Sequence, residues 1–69
     1  MKKVNIDTDI IKLDQFLKWA GICSSGSEAK FLIKEGNIYV NGEEENRRDK
    51  KKKKGDIINI KDNEEIIVQ

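Results

Sequence analysis

Two short helical patterns, each closed by a glycine and separated by only a few residues, restrict this chain more than any other feature. In LDQFLKWAG (13–21), Leu13, Phe16, Leu17 and Ala20 recur at i, i+3, i+4 and i+7, which puts them on one helix face. Asp14 falls in the first turn, where the helix dipole favours an anion, and Gly21 is placed to end the helix. In SSGSEAKFLIKEG (24–36), Ser25 and Glu28 have capping-box spacing, Ala29, Leu32 and Ile33 form the apolar stripe, and Gly36 sits where a left-handed cap belongs. Two such helices make an αα-hairpin whose stripes need a common core.

The remainder reads as strands. Residues 2–6 alternate weakly and predict a short edge strand, with 9–12 continuing it. Residues 37–40 lead into Asn41-Gly42, the strongest short hairpin signal, because both central positions of a type I′ turn need positive φ. The return strand falls at 43–46, Gly55-Asp56 predicts a turn, 57–60 a strand, Asp62-Asn63 another turn, and 65–69 the last strand. There is no repeat and no linker, so residues 1–69 are expected to form one domain. A chain of 69 residues is marginal in stability. Cys23 is the lone cysteine and there is no histidine, so neither a disulfide nor a zinc site is expected, and no other cofactor either. Cys23 itself reads as a small buried residue between the helices. No apolar run approaches the ~20 residues of a membrane span, and a reduced, cytoplasmic setting is expected.

Catalysis is not expected. There is no histidine for proton transfer, no partner for the thiol and no glycine-rich nucleotide loop. Charge is the more informative signal. Residues 47–54, RRDKKKKK, hold seven basic residues and one acid, whereas the whole chain holds 14 and 13. The other residues therefore carry 7 basic and 12 acidic side chains, a net of −5. Such asymmetry is what a polyanion senses, although a lysine-rich turn also simply keeps a protein in solution. A loop joining the hairpin to the strand at 57–60 would tolerate this charge, and alanine at Lys51, Lys52 and Lys53 is expected to leave stability almost unchanged.

Helical faces extend the signal. Lys12, Gln15 and Trp19 share one row beside the first apolar stripe, with Trp19 expected to close the core edge. Ser27, Lys30 and Lys34 share the outer face of the second helix, which begins with Ser24 and Ser25. Free N–H groups and hydroxyls at such a start suit an anion, and they suit ordinary capping equally well.

In order, Lys12-Leu13-Asp14, Phe16-Leu17, Ser25-x-Ser27-Glu28-Ala29-Lys30, Ile33, Gly36, Ile38-x-Val40-Asn41-Gly42 and Gly55-Asp56-Ile57-Ile58 resemble the RNA-binding domain named after ribosomal small-subunit protein four, or alpha-L motif. The likeness spans about residues 10–60, and nearly the whole chain is similar to the small stand-alone bacterial YaaA-like members. The resemblance implies an α+β fold, a two-helix hairpin packed on a small twisted antiparallel β-sheet. It implies binding of structured RNA, ribosomal RNA or tRNA, on a ribosomal subunit, in ribosome assembly or translation; a monomer is the default expectation, and the lack of a long apolar run gives no membrane partner. Carried over residue by residue, the implied contacts are Lys12 and Gln15; Ser24, Ser25, Ser27 and Lys30, with Lys34 on the same face; and Arg47, Arg48, Lys50, Lys51, Lys52, Lys53 and Lys54. The family usually has arginine where this chain has Lys12, and often where it has Gly26, so two contacts are weaker or missing here. Two other readings stay open: a protein-interaction module docking on acidic or ribosomal proteins, and a ribosome rescue factor binding tRNA and the large subunit. The acidic remainder, Glu43, Glu44 and Glu45 included, is expected to repel RNA from the other faces.

Overall fold

The computed structural model describes residues 2–61 and 64–69. The turn expected at Asp62-Asn63 lies outside the described residues. Chain order is β1 (Lys2–Val4), β2 (Ile10–Lys12), α1 (Leu13–Trp19), α2 (Gly26–Lys34), β3 (Ile38–Val40), β4 (Glu43–Glu44), β5 (Lys51–Lys53), β6 (Ile57–Ile60) and β7 (Glu65–Val68).

Both helices form where their apolar periodicity puts them. Ser25 caps α2, its hydroxyl accepting from the Glu28 N–H at 3.2 Å. The Glu28 carboxylate accepts a hydrogen bond from the Ser24 hydroxyl at 3.1 Å, so the box closes one residue earlier than its simplest form. Gly21 and Gly36 take φ of +77° and +76° after the two helices, a conformation nearly closed to other residues.

Five strands form one sheet in the order β1-β7-β6-β3-β4. Alternation decides which side chains turn inward. Ile38 and Val40, Ile58, and Ile66 and Val68 meet Leu13, Phe16 and Leu17 of α1 and Ala29 and Ile33 of α2 in one buried cluster, with Ile6 and Cys23. Asn41 and Gly42 take φ of +52° and +88° between β3 and β4, as a type I′ turn requires. The Asn41 side chain then holds the neighbouring strand: its Nδ2 donates to Asp56 Oδ1 at 3.1 Å and its Oδ1 accepts from the Ile57 N–H at 2.9 Å.

The α+β class and the two-helix hairpin on a small sheet stand, with two refinements. The sheet is mixed, because β1 runs parallel to β7 while the other pairs are antiparallel. Residues 2–6 and 9–12 do not form one continuous strand: β1 lies at the edge of the large sheet, and β2 leaves it to pair antiparallel with β5 in a separate two-stranded ribbon. That ribbon also corrects the reading of the basic segment as a loop. Lys51–Lys53 is a strand, with Lys53 opposite Ile10, Lys52 opposite Ile11 and Lys51 opposite Lys12. Lysine has no strand preference strong enough to announce this; the partner strand and the turn before it impose the conformation.

Candidate nucleic-acid interface

The ribbon sorts the lysine run by parity. Side chains alternate across a strand, so Lys51 and Lys53 face outward and Lys52 faces inward with Ile11. Lys51 and Lys53 are exposed on the same face as Lys12 and the half-exposed Ile10. Lys12 and Lys51 oppose each other directly, a like-charge pair that costs stability in the absence of an anion. Lys52 is only 5% exposed, and its Nζ lies 3.3 Å from Glu45 Oε1. The other carboxylate oxygen of Glu45 accepts from the Arg47 N–H at 3.3 Å. Glu45 therefore clasps the start of the basic turn to its strand.

A second tie comes from α1. The helix has no side-chain cap at Lys12. Its leading N–H groups are satisfied by the basic segment itself: Leu13 donates to the Lys50 carbonyl at 2.9 Å and Asp14 to the Arg48 carbonyl at 3.0 Å. The Asp14 side chain serves the next donor, accepting from the Gln15 N–H at 2.8 Å. The turn closes on itself through the Lys50 N–H and the Arg47 carbonyl, 3.3 Å apart. Backbone bonds thus hold the turn while its cationic side chains stay outside.

These ties place Arg47 and Arg48 beside α2. A cleft of about 340 Å³ opens there, lined by Lys30, Ile33, Lys34, Asn46, Arg47, Arg48 and Asp49. Four cations and one carboxylate share it. Among the described residues, none of these five charged groups is in an ion pair. Arg47 and Arg48 are far from Lys30 and Lys34 in sequence, and only the folded turn brings them together.

The chain matches the S4 domain family model over residues 4–69. It belongs to the S4 domain family. It is also 44% identical over 57 residues, 83% of this chain and 80% of the other, to the probable ribosome maturation protein RlbA of Bacillus subtilis (strain 168). The sequence resemblance to the alpha-L motif is thereby confirmed, and the chain is an S4-type RNA-binding domain.

On this S4 domain the residues expected at the interface fall into three groups. Lys30, Lys34, Arg47 and Arg48 line the cleft, and Lys12, Lys51 and Lys53 share the ribbon face. Gln15, Ser24, Ser25, Ser27, Lys50 and Lys54 are exposed, but Ser24 and Ser25 already serve the α2 cap. Lys52 departs from expectation: it is buried and committed to Glu45. For the same reason Glu45 is a clasp and not a free repelling charge. Trp19, expected to close the core edge, is 54% exposed, its Nε1 donating to the Asn5 carbonyl at 2.6 Å. Cys23 is buried as expected; burial, then the nearby Glu28 charge, pushes its thiol pKa up. The places of Asn46 and Asp49 in the cleft, and the exposure of Phe31, are not foreseen from the sequence. Phe31 is 63% exposed on α2 between Lys30 and Lys34. An apolar residue just before the stripe residues Leu32 and Ile33 looks like core until the helix is oriented.

Proposed function

We propose that this S4 domain is a non-catalytic protein that binds structured RNA, ribosomal RNA in particular, in ribosome maturation. It acts as one domain over residues 1–69, as a monomer in the cytoplasm. The observation that carries the reading is the cleft in which Lys30 and Lys34 of α2 meet Arg47 and Arg48 of the basic turn with no described ion-pair partner. Four cations against one carboxylate, Asp49, suit a polyanion, and arginine adds a planar fork that matches phosphate. The opposed Lys12 and Lys51 support the same reading, because an intervening phosphate would relieve their repulsion. The resemblance to a probable ribosome maturation protein supports the ribosomal assignment over other RNA.

Crosslinking in cells followed by sequencing of attached RNA tests this, with Arg47→Ala/Arg48→Ala alongside the unaltered protein. A defined ribosomal RNA footprint that the variant loses is the expected result. A footprint on tRNA would move the protein to the rescue role. Crosslinks at background level, with protein partners kept, would replace RNA binding by a protein-docking function.

A further inference from the structure

We infer that the cleft between α2 and the basic turn receives a single unpaired guanine, read by Asp49, with Phe31 offering a stacking surface to a neighbouring base. The inference rests on the RNA-binding reading and narrows it to RNA with an extruded nucleotide at the contact.

Three observations lead there. The first is shape: about 340 Å³ lies at the lower end of small-ligand pockets and is too small to admit a duplex. The second is the lining. A surface that only grips phosphates has no use for a carboxylate, which repels them. Asp49 nevertheless stands among four cations, in no ion pair with any described residue, with Asn46 beside it. A carboxylate accepts hydrogen bonds from base N–H groups. The Watson–Crick edge of guanine presents two neighbouring ones, N1–H and N2–H, which match two carboxylate oxygens. Adenine presents one amino group beside an acceptor nitrogen that faces the carboxylate unfavourably. In a duplex that guanine edge is already paired, so the base must be unpaired to be read. The third observation is Phe31, 63% exposed on the helix that supplies Lys30 and Lys34. Phe31 does not line the cleft, but an exposed aromatic ring on the helix that forms one wall of a basic cleft is a surface on which an unstacked base can pack.

The experiment uses fluorescence anisotropy with three labelled RNA hairpins of one stem sequence: fully paired, with one bulged guanine, and with one bulged adenine. The intact protein is expected to bind the guanine bulge roughly tenfold more tightly than the adenine bulge, the discrimination of one good bidentate contact. Asp49→Asn should abolish that preference while binding the fully paired stem as well as or better than before, since a repelling charge is gone. Phe31→Leu should weaken both bulged hairpins and leave the paired stem unchanged. Both positions are exposed, so both variants fold. Equal affinity of the intact protein for all three hairpins overturns the inference and leaves RNA binding standing. A tighter grip of Asp49→Asn on every hairpin with the guanine preference intact also overturns it, assigning Asp49 a purely electrostatic part. Binding to none of them at low salt overturns the RNA-binding reading itself, and this inference with it.

Discussion

Lys52 and its neighbours carry the same side chain and do different work. Lys52 is buried against Glu45, whereas Lys51 and Lys53 are exposed. Lys52→Ala should cost about 1–3 kcal/mol, because the half-buried Glu45 carboxylate loses its cation. Lys51→Ala and Lys53→Ala should stay within about 0.5 kcal/mol of the unaltered protein. Urea unfolding of the three single variants checks this, and equal midpoints would remove the clasp from the account. Gly26 is the opposite case, a residue without structural necessity. It is not among the positive-φ glycines, and a Cβ placed on it meets nothing within 4 Å. Gly26→Ala should therefore stabilise the protein by about 0.4–1 kcal/mol. Gly26→Arg should fold equally well and steepen the dependence of log affinity on log salt by about 1, the effect of one added phosphate contact. Salt titrations of RNA binding measure it; an unchanged slope would mean that the α2 start does not face the RNA.

At the scale of elements, the β2–β5 ribbon trades stability for charge. Lys12 and Lys51 face each other across it, and Lys53 continues the same face. Lys51→Glu should raise the thermal midpoint through a favourable cross-strand pair of about 0.2–1 kcal/mol. The same substitution should weaken RNA binding. A variant that gains stability and keeps its affinity would exclude the ribbon face from the interface. The helices were legible beforehand because their signals are local: apolar spacing, Ser25 with Glu28, and glycines at 21 and 36. The ribbon was not. Its stability comes from Ile10–Lys12, about forty residues earlier in the chain, and from the Glu45 clasp, and neither leaves a period-two pattern in KKKKK.

For the whole molecule, the central quantity is how many cations reach phosphate together. Lys30, Lys34, Arg47 and Arg48 at the cleft, Lys12, Lys51 and Lys53 on the ribbon, and Lys50 and Lys54 beside them in the chain are the exposed candidates. If about five engage, log affinity should fall against log salt with a slope of roughly −4. Arg47→Ala/Arg48→Ala and Lys51→Ala/Lys53→Ala should each flatten that slope by up to about 2. A slope altered by only one of the pairs would confine the interface to that side.

The class of the fold, the two helices, the Asn41-Gly42 hairpin and the presence of a cationic segment can be read from the residues alone. Each of these depends on residues a few positions apart, where backbone preference, capping and side-chain period act directly. The tertiary structure alone decided which cations are available. Burial of Lys52, its pairing with Glu45, the capping of α1 by the Arg48 and Lys50 carbonyls, and the meeting of Arg47 and Arg48 with Lys30 and Lys34 all join distant parts of the chain. A run of like charges carries no record of which members point inward; packing against the rest of the protein settles that.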